Sequence, residues 1–85
     1  MNRLRLLIVD DEPLIRQGIR RALTGMEGLE FAGECDSGSQ AIDAILSHPP
    51  DLVLLDVQMP DCTGLDVIRK IGPQNMPPVV FITAY

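Results

Sequence analysis

The stretch Leu6–Pro13, LLIVDDEP, runs four apolar residues into three consecutive acids and then a proline. Like charges repel, so crowding them at the tip of a buried strand calls for a compensating partner. A second run, Asp51–Pro60, DLVLLDVQMP, repeats the arrangement: apolar Leu52–Leu55, then Asp56. Two acid-tipped apolar strands frame the rest of the chain.

Working outward, Leu4 to Val9 reads as a strand mostly apolar on both faces. Pro13 suits the first turn of a helix. Leu14, Ile15, Ile19, Ala22 and Leu23 then recur at helical spacing until Gly25 and Gly28. Leu29 to Cys35 alternates and fits an edge strand. Ser37 to Ser39 can cap a short helix carrying Ala41, Ile42, Ile45 and Leu46, which Pro49-Pro50 ends. After the apolar strand Leu52–Leu55, a loop through Met59-Pro60 leads into a third helix bearing Leu65, Ile68 and Ile71, closed by Gly72-Pro73. Pro77-Pro78 introduces a last apolar strand, Val79 to Ile82.

This β-α-β-α-β-α-β order, with strands apolar on both faces, predicts an α/β fold: a doubly wound parallel sheet covered on both sides. Ligands of such sheets sit at the carboxyl ends of the strands, beside a topological switch point. Asp10 and Asp11 end the first strand, Asp56 the third and Thr83 the fourth, so all four are predicted to converge on one rim.

Composition bounds the function. Residues 1–85 are enough for one domain with a modest core, and 46% hydrophobic with 22% charged residues describes a globular chain. A net charge of −5 without a Lys/Arg cluster argues against a direct grip on nucleic acid. No apolar run approaches the roughly 20 residues that span a bilayer, so no membrane contact is expected. Cys35 and Cys62 make neither a metal-ligand spacing nor a disulfide framework; two free thiols in a cytoplasmic protein are expected.

Three carboxylates on one rim, with no His or Cys beside them, suit a hard, oxygen-liganded divalent ion such as Mg²⁺. Such an ion neutralises phosphoryl oxygens, and an Asp carboxylate can accept a phosphoryl group covalently. The crowding of acids is explained if a metal sits among them.

The residues Asp10-Asp11-Glu12-Pro13, Asp51 to Asp56, Met59-Pro60, Gly64 and Thr83-Ala84 resemble the signature of response-regulator receiver domains of two-component signalling. The resemblance implies a flavodoxin-like sheet of strand order 2-1-3-4 over this chain. It implies that Asp56 accepts the phosphoryl group from a sensor histidine kinase. Asp11 would ligate Mg²⁺ directly and Asp10 through water, with Asp56 and the backbone carbonyl of Gln58 as further protein ligands. Thr83 would hydrogen-bond the phosphoryl group and move on activation, beside the small Ala84. The chain would be a phosphoryl acceptor that assists its own phosphorylation, not a conventional enzyme. The ending ITAY, Ile82–Tyr85, resembles receivers coupled to LytTR-type DNA-binding domains, which implies a transcriptional output.

A full receiver has five strands and five helices, whereas this sequence ends just after the fourth strand. It is therefore expected to lack the family's fifth-strand lysine and aromatic switch residue; Lys70 falls on the third helix and replaces neither. Impaired phosphorylation is expected, and so is self-association through the fourth strand or swapped C-terminal elements. The competing functional reading is an interaction module that no longer signals. A haloacid-dehalogenase-type hydrolase would place a second acid two residues after Asp56, where Gln58 stands. A dinucleotide-binding unit would need a G-x-G-x-x-G turn after the first strand, where Asp-Asp-Glu-Pro stands. Asp61 and Asp66 read as surface residues, Glu12 as helix-start charge, and His48 as a helix-end residue.

Overall fold

The computed structural model describes residues 3–82. In chain order the elements are β1 (Leu4–Val9), α1 (Pro13–Leu23), β2 (Leu29–Cys35), α2 (Gly38–Ser47), β3 (Leu52–Asp56), α3 (Gly64–Ile71), a 3-10 turn at Pro73–Asn75, and β4 (Val79–Ile82). The four strands form one parallel sheet in the order β2-β1-β3-β4. Strand 1 to strand 3 is the point where the order reverses direction, and it lies between the two acid-tipped strands.

Register explains why the acids meet. Leu6 to Val9 stand opposite Leu52 to Leu55, so the residues that follow, Asp10 and Asp56, emerge at the same level of the sheet. At the other end of this pair, Asp51 locks the start of β3 to β1. Its side chain accepts from the Arg5 backbone N–H at 2.7 Å, and its own N–H donates to the Arg5 carbonyl at 2.8 Å.

Alternation along the strands divides the core between two faces. On one, Leu7, Val9, Val53 and Leu55 pack with Cys35, with Ala41 and Ile45 of α2, and with Val67 and Ile71 of α3. Leu6 and Ile8, equally buried, point to the other face, that of α1. Here the helical expectations need correction. Of the apolar residues read on the third helix, Leu65 is exposed, and the buried stripe of α3 is Gly64, Val67 and Ile71. Leu14 is 76% exposed and α1 buries no residue completely. Spacing identified the helices, but which of several apolar residues meets the sheet depends on how each helix is rotated against it.

β2 is the expected edge strand. Its pairing with β1 slips by one residue between Leu6 and Leu7, where Ala32 is skipped and Gly33 takes the next place. Such a bulge bends an edge away from further pairing. β4, expected to be an edge despite its apolar faces, pairs with β3 alone among the described residues, and Val80 and Phe81 are exposed.

Candidate metal centre

The sequence at each strand tip dictates how its acid is presented. β1 is buried through Val9, and Asp10 follows directly, so its side chain enters the protein rather than solvent: Asp10 is 1% exposed, the only buried charged residue among the described residues. One oxygen, Oδ1, accepts from the Glu12 backbone N–H at 2.8 Å. That turn delivers the chain to Pro13, whose lack of an N–H is harmless at a helix start. Glu12 is the N-cap of α1 but makes no side-chain cap. Asp11, half-buried, follows on the rim.

Asp56 is the last residue of β3. Carboxylate oxygens of Asp10, Asp11 and Asp56 lie within 4.8 Å of one another. Burial holds the Asp56 carboxyl above the usual carboxylate range, and the negative charges of Asp10 and Asp11 push in the same direction. The N–H of Gln58 opposes them, donating to Asp56 Oδ1 at 3.3 Å. Crowding carboxylates in this way calls for a compensating cation. Three oxygen donors on one open rim fit a hard divalent cation, and no cysteine competes: Cys35 is buried in the core and Cys62 faces α2.

The loop after Asp56 is tightly built. Gly64 N–H donates to the Val57 carbonyl at 2.8 Å, and Gln58 and Thr63 form an antiparallel bridge. A side chain at Gly64 would place its Cβ 2.6 Å from the Asp56 carbonyl oxygen, closer than real contacts allow. Only glycine lets α3 start this near the acid.

The described residues bring together Asp10, Asp11 and Asp56, with Gln58 next to them. Thr83 and Ala84 lie outside the described residues, as does most of the ITAY ending. Lys70 lies away from the rim, lining a surface groove between α2 and α3 with Ser39, Ile42 and Asp43.

Four other residues around the site were not singled out for a role by sequence, or were read as plain surface. Arg16 donates from Nη1 to the Asp10 carbonyl at 2.6 Å and from Nε to Glu34 at 3.0 Å, tying α1 to β1 and β2. Arg20 reinforces this with a second bond to Glu34 and a cation–π contact to Phe31. Asp66, expected on the surface, forms a capping box with Thr63: each side chain accepts the other's backbone N–H, at 3.0 and 3.1 Å. The Thr-x-x-acid spacing before an apolar run is its sequence signal. Asp61 caps a different helix altogether: its two carboxylate oxygens accept the N–H groups of Gly38 and Ser39, each at 3.0 Å. Nothing local in the sequence announces this.

Among known proteins, the family model for the response regulator receiver domain matches residues 6–85. The transcriptional regulatory protein BtsR of Salmonella typhi is 42% identical over 82 residues, covering 96% of this chain and 34% of BtsR. An uncharacterized response regulatory protein of Yersinia pestis is 44% identical over the same length and shares. The chain thus spans about a third of the length of the curated relatives it matches. Among solved structures, the signal receiver domain of NarL from Mycobacterium tuberculosis superposes with a TM-score of 0.88 at 35% identity, over 100% of this chain and 69% of that one. Sheet order, acid cluster and sequence match agree, and the chain belongs to the response regulator receiver domain family.

Proposed function

We propose that this receiver domain takes a phosphoryl group from a sensor histidine kinase onto Asp56, with Mg²⁺ held by Asp10, Asp11, Asp56 and the Gln58 backbone carbonyl. The observation that carries this reading is the meeting of three carboxylates within 4.8 Å on the strand 1–strand 3 rim. A carboxylate oxygen of Asp56 attacks phosphorus, the P–N bond to the donor's phosphohistidine breaks, and the departing imidazole nitrogen takes up a proton. Bound Mg²⁺ would supply positive charge to the phosphoryl oxygens. Asp10 and Asp11 serve to hold that ion, and Arg16 fixes the Asp10 backbone from below. By family resemblance, the Thr83 hydroxyl contacts the phosphoryl group beside Ala84. The chain accepts a phosphoryl group and assists the transfer; it does not turn over as a conventional enzyme. In a cytoplasmic full-length regulator, the modification would control an output, transcription by analogy with BtsR; no helix of the described residues is long and apolar enough to cross a membrane.

Titration calorimetry of the 85-residue chain with Mg²⁺, beside labelling by a phosphohistidine donor, tests this. Asp11→Ala should weaken Mg²⁺ binding by about tenfold or more and suppress labelling at Asp56. Equal binding by both proteins would overturn the assignment.

A second reading rests on β4, whose Val80 and Phe81 are exposed on a strand with one described neighbour. An apolar edge strand templates pairing with another chain, and the 85-residue chain would then self-associate through this edge.

A further inference from the structure

The turn that follows Asp56 must hold Gln58 still if its carbonyl is to serve a cation, yet residues 57–63 contain no regular element. Their own bonds close a small loop: Met59 N–H donates to the Cys62 carbonyl at 3.1 Å above the Gln58–Thr63 bridge. Asp61 lies at the outer end of this loop, and its carboxylate reaches across to α2. The contact takes up donors of that helix start that the helix itself leaves without an acceptor. Gly38 and Ser39 give their N–H groups to Asp61, Gln40 gives its own to the Ser37 hydroxyl at 3.2 Å, and Ala41 bonds the Ser37 carbonyl at 3.1 Å. The loop is seated a second time by Cys62, whose sulfur occupies the space of the missing Gly38 side chain; a Cβ there would lie 2.0 Å from Sγ.

We propose that Asp61 is a positioning residue for the metal centre: by clasping the first turn of α2 it fixes the loop that presents Gln58 beside Asp56. The inference rests on the Mg²⁺ reading above. Local chemistry keeps the clasp closed, since the Gly38 and Ser39 N–H groups hold the Asp61 carboxyl below the usual range and therefore charged. Ser37 provides the internal control. It caps the same helix but has no bond to the loop.

Mg²⁺ titration of the wild-type chain, D61A, D61N and S37A, with far-UV circular dichroism to verify folding, separates the outcomes. D61A should bind Mg²⁺ about tenfold more weakly, the scale typical of residues that orient metal ligands. D61N, which keeps one acceptor oxygen, should fall between D61A and wild type, and S37A should bind like wild type. Wild-type affinity in D61A would overturn the proposal while leaving the metal site standing. Equal weakening in S37A would overturn it by showing that loss of a helix cap is sufficient, and equal weakening in D61N would reduce it to lost charge. Absence of Mg²⁺ binding by the wild-type chain would instead remove the underlying reading, and the proposal with it.

Discussion

Val9 and Asp10 are adjacent, and both are almost completely shielded from solvent, at 0% and 1% exposure. The first belongs to the apolar interior of the sheet and the second to its acidic rim, and β3 repeats the pairing with Leu55 and Asp56. Burial does opposite things on the two sides of this boundary. For Val9 and Leu55 it removes apolar surface from water and stabilises the fold. For the rim acids it strips water from negative charge and, in the metal-free chain, works against the fold. The strands thus build a stable interior whose excess supports a rim arranged for chemistry.

The largest effect is expected in the interior of β3, with an exposed position of α1 as the reference. Leu55→Ala removes a fully buried side chain and should lower the unfolding free energy by about 2–5 kcal/mol in denaturant titration. Leu14→Ala, on an exposed position, should stay within about 0.5 kcal/mol of wild type. Similar losses at the two sites would break the distinction between interior and surface drawn here.

The next effect concerns the outer strand of the interior. β2 is guarded as an edge by its bulge and by ion pairs of Glu30 and Glu34 with Arg5, Arg16 and Arg20, whereas β4 carries only apolar side chains. In analytical ultracentrifugation at about tens of micromolar, the 85-residue chain should sediment as larger species than a monomer, and Val80→Lys should shift it toward monomer. A compact wild-type monomer that unfolds cooperatively would sink the self-association reading.

The smallest effect lies on the rim and has the opposite sign. The Asp56 carboxyl titrates above its ordinary 3.8 in the folded chain, so the folded state holds that proton more tightly than the unfolded state. Below the ordinary value both states are protonated and the acid costs nothing. As pH rises through the window between the ordinary and raised values, the folded state loses stability, and the loss is complete above it. Without metal, Asp56→Asn should therefore unfold at a higher temperature than wild type near neutral pH, with the advantage disappearing below the ordinary carboxylate range. Added Mg²⁺ should reverse the order by stabilising wild type alone. A metal-free advantage that is independent of pH would show that charge is not its cause.

Much of the molecule was legible in order of sequence. The strand boundaries, the parallel pairing, Ser37 as a cap and the acids at the strand tips depend on short-range signals: hydrophobic period, strand-end acids and turn residues; the strand order was implied only by the resemblance to receiver domains. The roles of Asp61 and Arg16 were not legible, because their partners are 22 and 23 residues away for Asp61 and 18 away, on β2, for the Arg16–Glu34 pair. No local pattern encodes a hydrogen bond between elements that only the folded sheet brings side by side.

The sequence by itself determined which residues would be strand, helix and turn, and which strand tips would carry acids, since those properties follow from backbone preference and side-chain period along a few residues. Tertiary structure alone decided that Val67 rather than Leu65 meets the sheet, that Asp10 is buried while Asp11 stays on the rim, and that the exposed Asp61 closes α2. Each of those outcomes depends on helix rotation and on the distance between elements far apart in the chain, and both are set only when the parallel strands take their register and the core closes between them.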